Sequence, residues 1–116
     1  MKRDSLDALF SRYIRTRDRW TCQRCGKVYP PPTTALHCAH VFSRGKQSTR
    51  FDPMNAVALC YGCHRFMDQH KESNFFPWHS RRIGIGFFDQ LMVRAHTPRK
   101  PDRIMISLWL KQELKG

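Results

Sequence analysis

Two Cys-x2-Cys pairs, Cys22/Cys25 and Cys60/Cys63, constrain this chain more than any other feature. Each pair aims two thiolates at one point from a single turn, and Gly26 after the first tolerates the positive φ of such a turn. Together the pairs supply four soft ligands, enough to close a tetrahedral zinc site with no open position for water. A closed site is structural. It would staple a turn near residue 22 to a segment beginning near residue 60. The chain has 116 residues, 41% of them hydrophobic, so we expect one domain (1–116) whose small core gains from such a staple. The fifth cysteine, Cys38, reads as a small buried residue.

The N-terminus, Met1-Lys-Arg-Asp-Ser, is charged and no apolar run follows it, so no secretory signal is expected. No segment has the length and apolarity of a membrane span. The expected location is therefore intracellular, in the cytoplasm, where closely spaced cysteines hold metal more often than they form disulfides. The charge balance is extreme: 21 Lys plus Arg against 9 Asp plus Glu, a formal +12. In a domain this small, such a charge points to a polyanion, with nucleic acid first. No basic amphipathic helix stands alone, which argues against a membrane surface.

The pattern along the chain is α+β. Leu6, Leu9, Phe10, Tyr13 and Ile14 form one apolar helical face over about 4–17, with Asp4 or Ser5 as its cap. Arg12, Arg15, Arg17 and Arg19 lie off that stripe, on a solvated or a phosphate-facing side. Strand-like residues sit at Val28-Tyr29 and from Ala35 to Phe42, around a proline loop. A helix is expected from Cys63 to about Gln69, which puts His64 and Asp68 one turn apart on one face. Further helices are expected over 73–82, 87–95 and, after the Asp102 cap, to Leu114. They form a helical extension over about 73–115. His70, His79 and His96 have no partner pattern and read as surface residues; Trp78 and Trp109 read as core.

Between the thiol pairs lies a second constellation, His40, Asn55 and His64. Phosphodiester hydrolysis needs a base for water and a cation for the leaving oxygen. A neutral imidazole suits the first task, and an imidazole or carboxylate on a helix suits the second. The stretches Leu36-His-Cys-Ala-His40 and Asn55-Ala-Val-Ala-Leu-Cys60-Tyr-Gly-Cys63-His64 resemble the signature of the HNH (ββα-metal) endonucleases. The flanks Arg-Asp-Arg-Trp-Thr-Cys-Gln-Arg-Cys-Gly and Thr-Arg-Phe-Asp-Pro-Met-Asn resemble the small HNH proteins of bacteriophages, including the NinG-type recombination group. The resemblance covers roughly residues 14–70.

It implies a zinc-stapled ββα-metal core with flanking helices, acting on DNA in phage processing or recombination, in the host cytoplasm if phage-encoded. His40 would be the general base, Asn55 would bond across the loop and orient it, and His64 would bind a catalytic divalent metal, Mg²⁺, Mn²⁺ or another. Cys22, Cys25, Cys60 and Cys63 would hold zinc apart from the active centre. Many members place Asp or His just before the base, as a second metal ligand; here that residue is Ala39. Asp68 can take that role, or His37 or Cys38, although strand alternation points His37 away from His40. Arg44, Lys46 and Arg50, on the loop between base and Asn55, would contact DNA phosphates. The competing expectation is a zinc-stabilised DNA-binding protein with a degenerate HNH fold and no catalysis, which would not need His40, Asn55 and His64 together.

Overall fold

A computed structural model describes residues 2–115. Helix α1 spans Ser5–Arg17 and is capped by Asp4, whose carboxylate accepts from the N–H groups of Leu6 and Asp7, both at 3.0 Å. The apolar stripe then buries Leu6, Phe10 and Ile14.

Strands β1 (Leu36–His40) and β2 (Ala56–Cys60) pair antiparallel, from Leu36 opposite Cys60 to His40 opposite Ala56. Paired residues share a face, so Cys38, His40 and Ala56 point one way and His37, Ala39, Val57 and Leu59 the other. Residues 56–59 of β2 are all buried, because the hairpin is covered on both sides. On the first side Cys38 and Ala56 pack with Leu6, Phe10 and Ile14 of α1, with Phe51, and with Leu110 of the last helix. On the second, Ala39, Val57 and Leu59 join Cys63, Met67, Phe75, Phe88 and Leu91.

Helix α2 (Tyr61–Gln69) follows β2 without a break. A π-helical turn (Lys71–Phe75) leads into α3 (Phe76–Ile83), and Gly84, at φ +98°, turns the chain into α4 (Ile85–Ala95). Helix α5 spans Arg103–Lys115, with the Asp102 carboxylate accepting from the Met105 N–H at 3.1 Å. The fold is thus α+β, with a two-stranded sheet and five α-helices among the described residues. No helix among them is long and apolar enough to cross a membrane.

Several local expectations need correction. The helix of His64 begins at Tyr61, two residues before Cys63. The segment expected as one helix over 73–82 is a π turn followed by α3. Around Val28 there is one bridge, to Thr21, and no extended strand. Arg17 is only partly exposed and is engaged within the fold: it donates to Asp18 and to the carbonyls of Pro53 (2.7 Å) and Ala56 (2.8 Å), tying α1 to β2. His79 is no surface residue. It is fully buried, its Nε2–H donates to the Met54 carbonyl at 2.6 Å, and burial pushes its pKa down to about 4. Trp78 packs against the core, whereas Trp109 is 41% exposed and meets the Tyr13 ring edge-on.

Candidate functional site

The four paired cysteines converge. Cys22 and Cys25 sit on a turn closed by the Gly26 N–H donating to the Cys22 carbonyl (2.8 Å), with Gly26 at φ +80°. Cys60 ends β2 and Cys63 lies in the first turn of α2. All four sulfurs lie within 4.8 Å of one another, and Cys25 and Cys60 are 3.9 Å apart. Tetrahedral zinc with bonds of about 2.3 Å separates its sulfurs by about 3.8 Å, so this donor set fits a metal ion such as zinc. Burial pushes the Cys63 thiol up to about 12, and the neighbouring sulfurs of Cys60 and Cys22 add to the rise. Cys22 goes the other way, to about 7, because backbone N–H groups outweigh its burial. Four crowded sulfurs resist becoming anions together; a cation among them reverses that balance. Cys38 is outside the cluster, on the α1 side of β1.

Beside β1 runs a groove of about 690 Å³. Consecutive residues of the strand line it, so side chains from both strand faces reach it, including His37 and His40. Helix α1 contributes Asp7, Ser11 and Arg15, α2 contributes His64 and Asp68, and Arg3, Arg44 and Lys71 complete a cationic rim.

His40 packs its ring 5.7 Å from that of Phe10 and hydrogen-bonds the Arg50 carbonyl through Nε2 at 2.8 Å. A carbonyl only accepts, so Nε2 carries the proton and Nδ1 keeps the lone pair. Burial holds the imidazole neutral, with a pKa near 4, although the Arg50 carbonyl and Asp7 pull the other way.

The bonds of Asn55 are all internal. Fully buried, it accepts from the Phe42 N–H (2.8 Å) and donates to the carbonyls of Phe42 (2.8 Å) and Thr49 (3.0 Å). It clamps the loop between the strands and does not hydrogen-bond His40. Asn55 bonds the Thr49 carbonyl, and the next carbonyl along the chain, of Arg50, accepts from the His40 imidazole.

Arg50, placed on DNA phosphate by the sequence reading, turns inward in the structure. Its side chain is buried and forms a two-pronged ion pair with Asp7 of α1, Nε to Oδ1 at 3.0 Å and Nη2 to Oδ2. Burial raises the Asp7 pKa, but the Arg50 hydrogen bonds and charge more than offset it, to about 2. Arg44 reaches the same carboxylate at 3.5 Å from the groove side. Lys46 lies in a different depression, beside His96 and Arg99, and not in the groove. Asp7 sits beside the apolar stripe of α1, a placement that calls for a buried cation; only its partner was missing from the sequence pattern.

Removing one member of a buried ion pair leaves the other charge uncompensated, at a cost of about 3–5 kcal/mol. Asp7→Ala should lower unfolding stability by that amount in urea at pH 7; an unchanged midpoint would contradict the pairing. The pH dependence has a fixed sign. The folded pKa of about 2 lies below the ordinary carboxylate value of 3.8, so Asp7's contribution is full above about pH 4 and is lost as pH falls toward 2.

His64 stands between two partners, Asp68 on its own helix and His37 on β1. Its Nε2 lies 3.1 Å from the Asp68 carboxylate, while Nδ1 lies 2.9 Å from Nδ1 of His37. Burial lowers the His64 pKa, and the Asp68 charge partly restores it. Of the basic groove residues, Arg3 and Lys71 have no positional signal in the sequence.

Compared with protein-family models, with curated proteins and with solved structures, the chain matches none.

Proposed function

We propose that this chain is a metal-dependent endonuclease of the HNH type that hydrolyses DNA phosphodiester bonds. The hairpin β1–β2 followed by α2 would be the ββα-metal core, stapled by zinc on Cys22, Cys25, Cys60 and Cys63. The observation that carries the reading is His40: an imidazole held neutral, with its Nε2 proton fixed on a carbonyl, in one cationic groove with His64. A core histidine has no need of a basic groove, and a DNA-binding surface has no need of an oriented neutral imidazole.

In this reading the DNA backbone lies in the groove beside β1, held by Arg3, Arg15, Arg44 and Lys71. His40 accepts a proton at Nδ1 from a water that attacks phosphorus. The P–O3′ bond breaks, leaving a 5′-phosphate and a 3′-oxygen that takes a proton from solvent. A divalent ion on His64, Mg²⁺, Mn²⁺ or another, would supply positive charge beside the scissile phosphate. Asn55 and the Asp7–Arg50 pair are positioning residues, since both fix the backbone that orients His40. The direct test is whether supercoiled plasmid is converted to open circles.

DNA binding should depend steeply on salt and little on sequence, because the groove offers phosphate partners and no inserted helix to read bases. Four cations in contact give a slope of log affinity against log salt of roughly −3 to −4. Lys71→Ala should reduce that slope by about 1 on every duplex. A flat salt response, or strong preference for one unrelated duplex, would contradict this placement.

A further inference from the structure

We propose that His37 and His64 together hold the divalent ion through their Nδ1 atoms, and that Asp68 stands behind His64 as its orienting carboxylate. The reading of the ion as catalytic rests on the endonuclease proposal; the seat itself rests on the geometry.

The two Nδ1 atoms approach to 2.9 Å from separate elements, the strand β1 and the helix α2. Two imidazoles on one ion, with bonds of about 2.1 Å, place their nitrogens about 3.0–3.4 Å apart. The observed separation is close to that of two imidazole nitrogens on one ion. The tautomers are also set. Asp68 faces Nε2 of His64 at 3.1 Å, and a carboxylate requires a donor there, so neutral His64 keeps its lone pair on Nδ1. In the ion-free protein His37 must then donate its Nδ1–H to that lone pair. Moving this proton to the Nε2 of His37 frees both Nδ1 lone pairs, with no change of charge.

The rest of the surroundings agrees. Tyr61 meets the His37 ring edge-on and leaves Nδ1 facing His64. Asp68 is also 4.0 Å from Lys71, so its carboxylate is engaged on both sides and does not aim at the point between the histidines. A carboxylate behind a ligating imidazole raises its basicity and fixes its ring. Cys38 also lines the groove, but it projects from the face of β1 opposite to His37 and packs partly buried against the α1 cluster. Ala39 has no donor side chain. His37, three residues before the base, therefore supplies the second ligand from the strand.

The test begins with protein carrying one structural zinc and titrates further Zn²⁺, by calorimetry and by ¹⁵N NMR of the histidine rings. We expect one additional ion. The Nδ1 resonances of both His37 and His64 should move to metal-bound positions, while Nε2 of His64 stays protonated. His37→Ala and His64→Ala should each weaken the second ion at least tenfold, and Asp68→Asn by about 10–100-fold. The structural zinc content and the circular dichroism of each variant show whether it folds, and the wild-type NMR needs no variant. Absence of a second ion, an unmoved His37 Nδ1, or wild-type affinity in folded His37→Ala would overturn the proposal. If the ion binds through both imidazoles and DNA is never cut, the endonuclease reading falls and the site stands. If DNA is cut normally by His37→Ala, the site falls and the endonuclease reading stands.

Discussion

His40→Ala should lower the rate of DNA cleavage by roughly 10²–10⁴-fold while DNA affinity stays unchanged, the usual cost of losing a positioned general base. The ring is packed against Phe10 and bonded to the Arg50 carbonyl, so Nδ1 is the nitrogen left to accept a proton. The cationic rim that would grip phosphate lies on other side chains, which is why binding survives the substitution. The pH profile carries a second signature. An unshifted histidine would be half protonated at its ordinary value of 6.5, but burial holds His40 at about 4. Activity should therefore persist as pH falls below 6 and decline only toward pH 4. A limb that bends near 6.5 would mean that His40 is not the base or is not buried in the active protein. His40→Gln retains the shape and the Nε2-side donor but has no Nδ1; it should be as inactive as alanine if proton transfer is the role.

Removing the metal from the cysteine cluster should abolish cooperative unfolding. Two strands of five residues each do not form a stable sheet alone. The knuckle of Cys22 and Cys25 reaches the hairpin through the Gln23 N–H, which donates to the Ala58 carbonyl at 3.0 Å, and through the sulfurs themselves. Structural zinc binds with about 10–16 kcal/mol of apparent free energy, comparable to the roughly 5–15 kcal/mol net stability of a whole domain. We expect one tightly held zinc per chain. Cys22→Ser and Cys60→Ser, one from each pair, should each lose both the zinc and the sharp thermal transition. Metal-free protein that melts like the zinc-loaded form would contradict this.

What the sequence made readable were features with a spacing. The 3.6-residue stripe of Leu6, Phe10 and Ile14, the two thiol pairs, and the alternation that sends His37 and His40 to opposite strand faces all have a period or a fixed interval. What it concealed were contacts whose acceptor is main chain or lies far along the chain. His79 donates its Nε2–H to the carbonyl of Met54, 25 residues away, and no side-chain pattern marks a carbonyl. Arg50 looks like any basic loop residue until Asp7, 43 positions earlier, is brought against it. Arg17 is spent on two carbonyls of the strand it abuts. The pairing of His37 with His64 depended on where α2 crosses β1, a tertiary fact. Asp68 was correctly placed one turn from His64, but ring orientation decided that it faces Nε2.

The central claim is that the groove beside β1 cuts DNA. Zinc-loaded protein incubated with supercoiled plasmid and Mg²⁺, Mn²⁺ or Ni²⁺ tests it most directly. The account predicts open circles that accumulate only with the divalent ion, with nicks that carry 5′-phosphate and 3′-hydroxyl ends and are therefore sealed by DNA ligase, and no open circles with His40→Ala. Plasmid that is bound in a salt-dependent way yet remains supercoiled with every ion would contradict it, and would leave a zinc-stapled DNA-binding protein in its place.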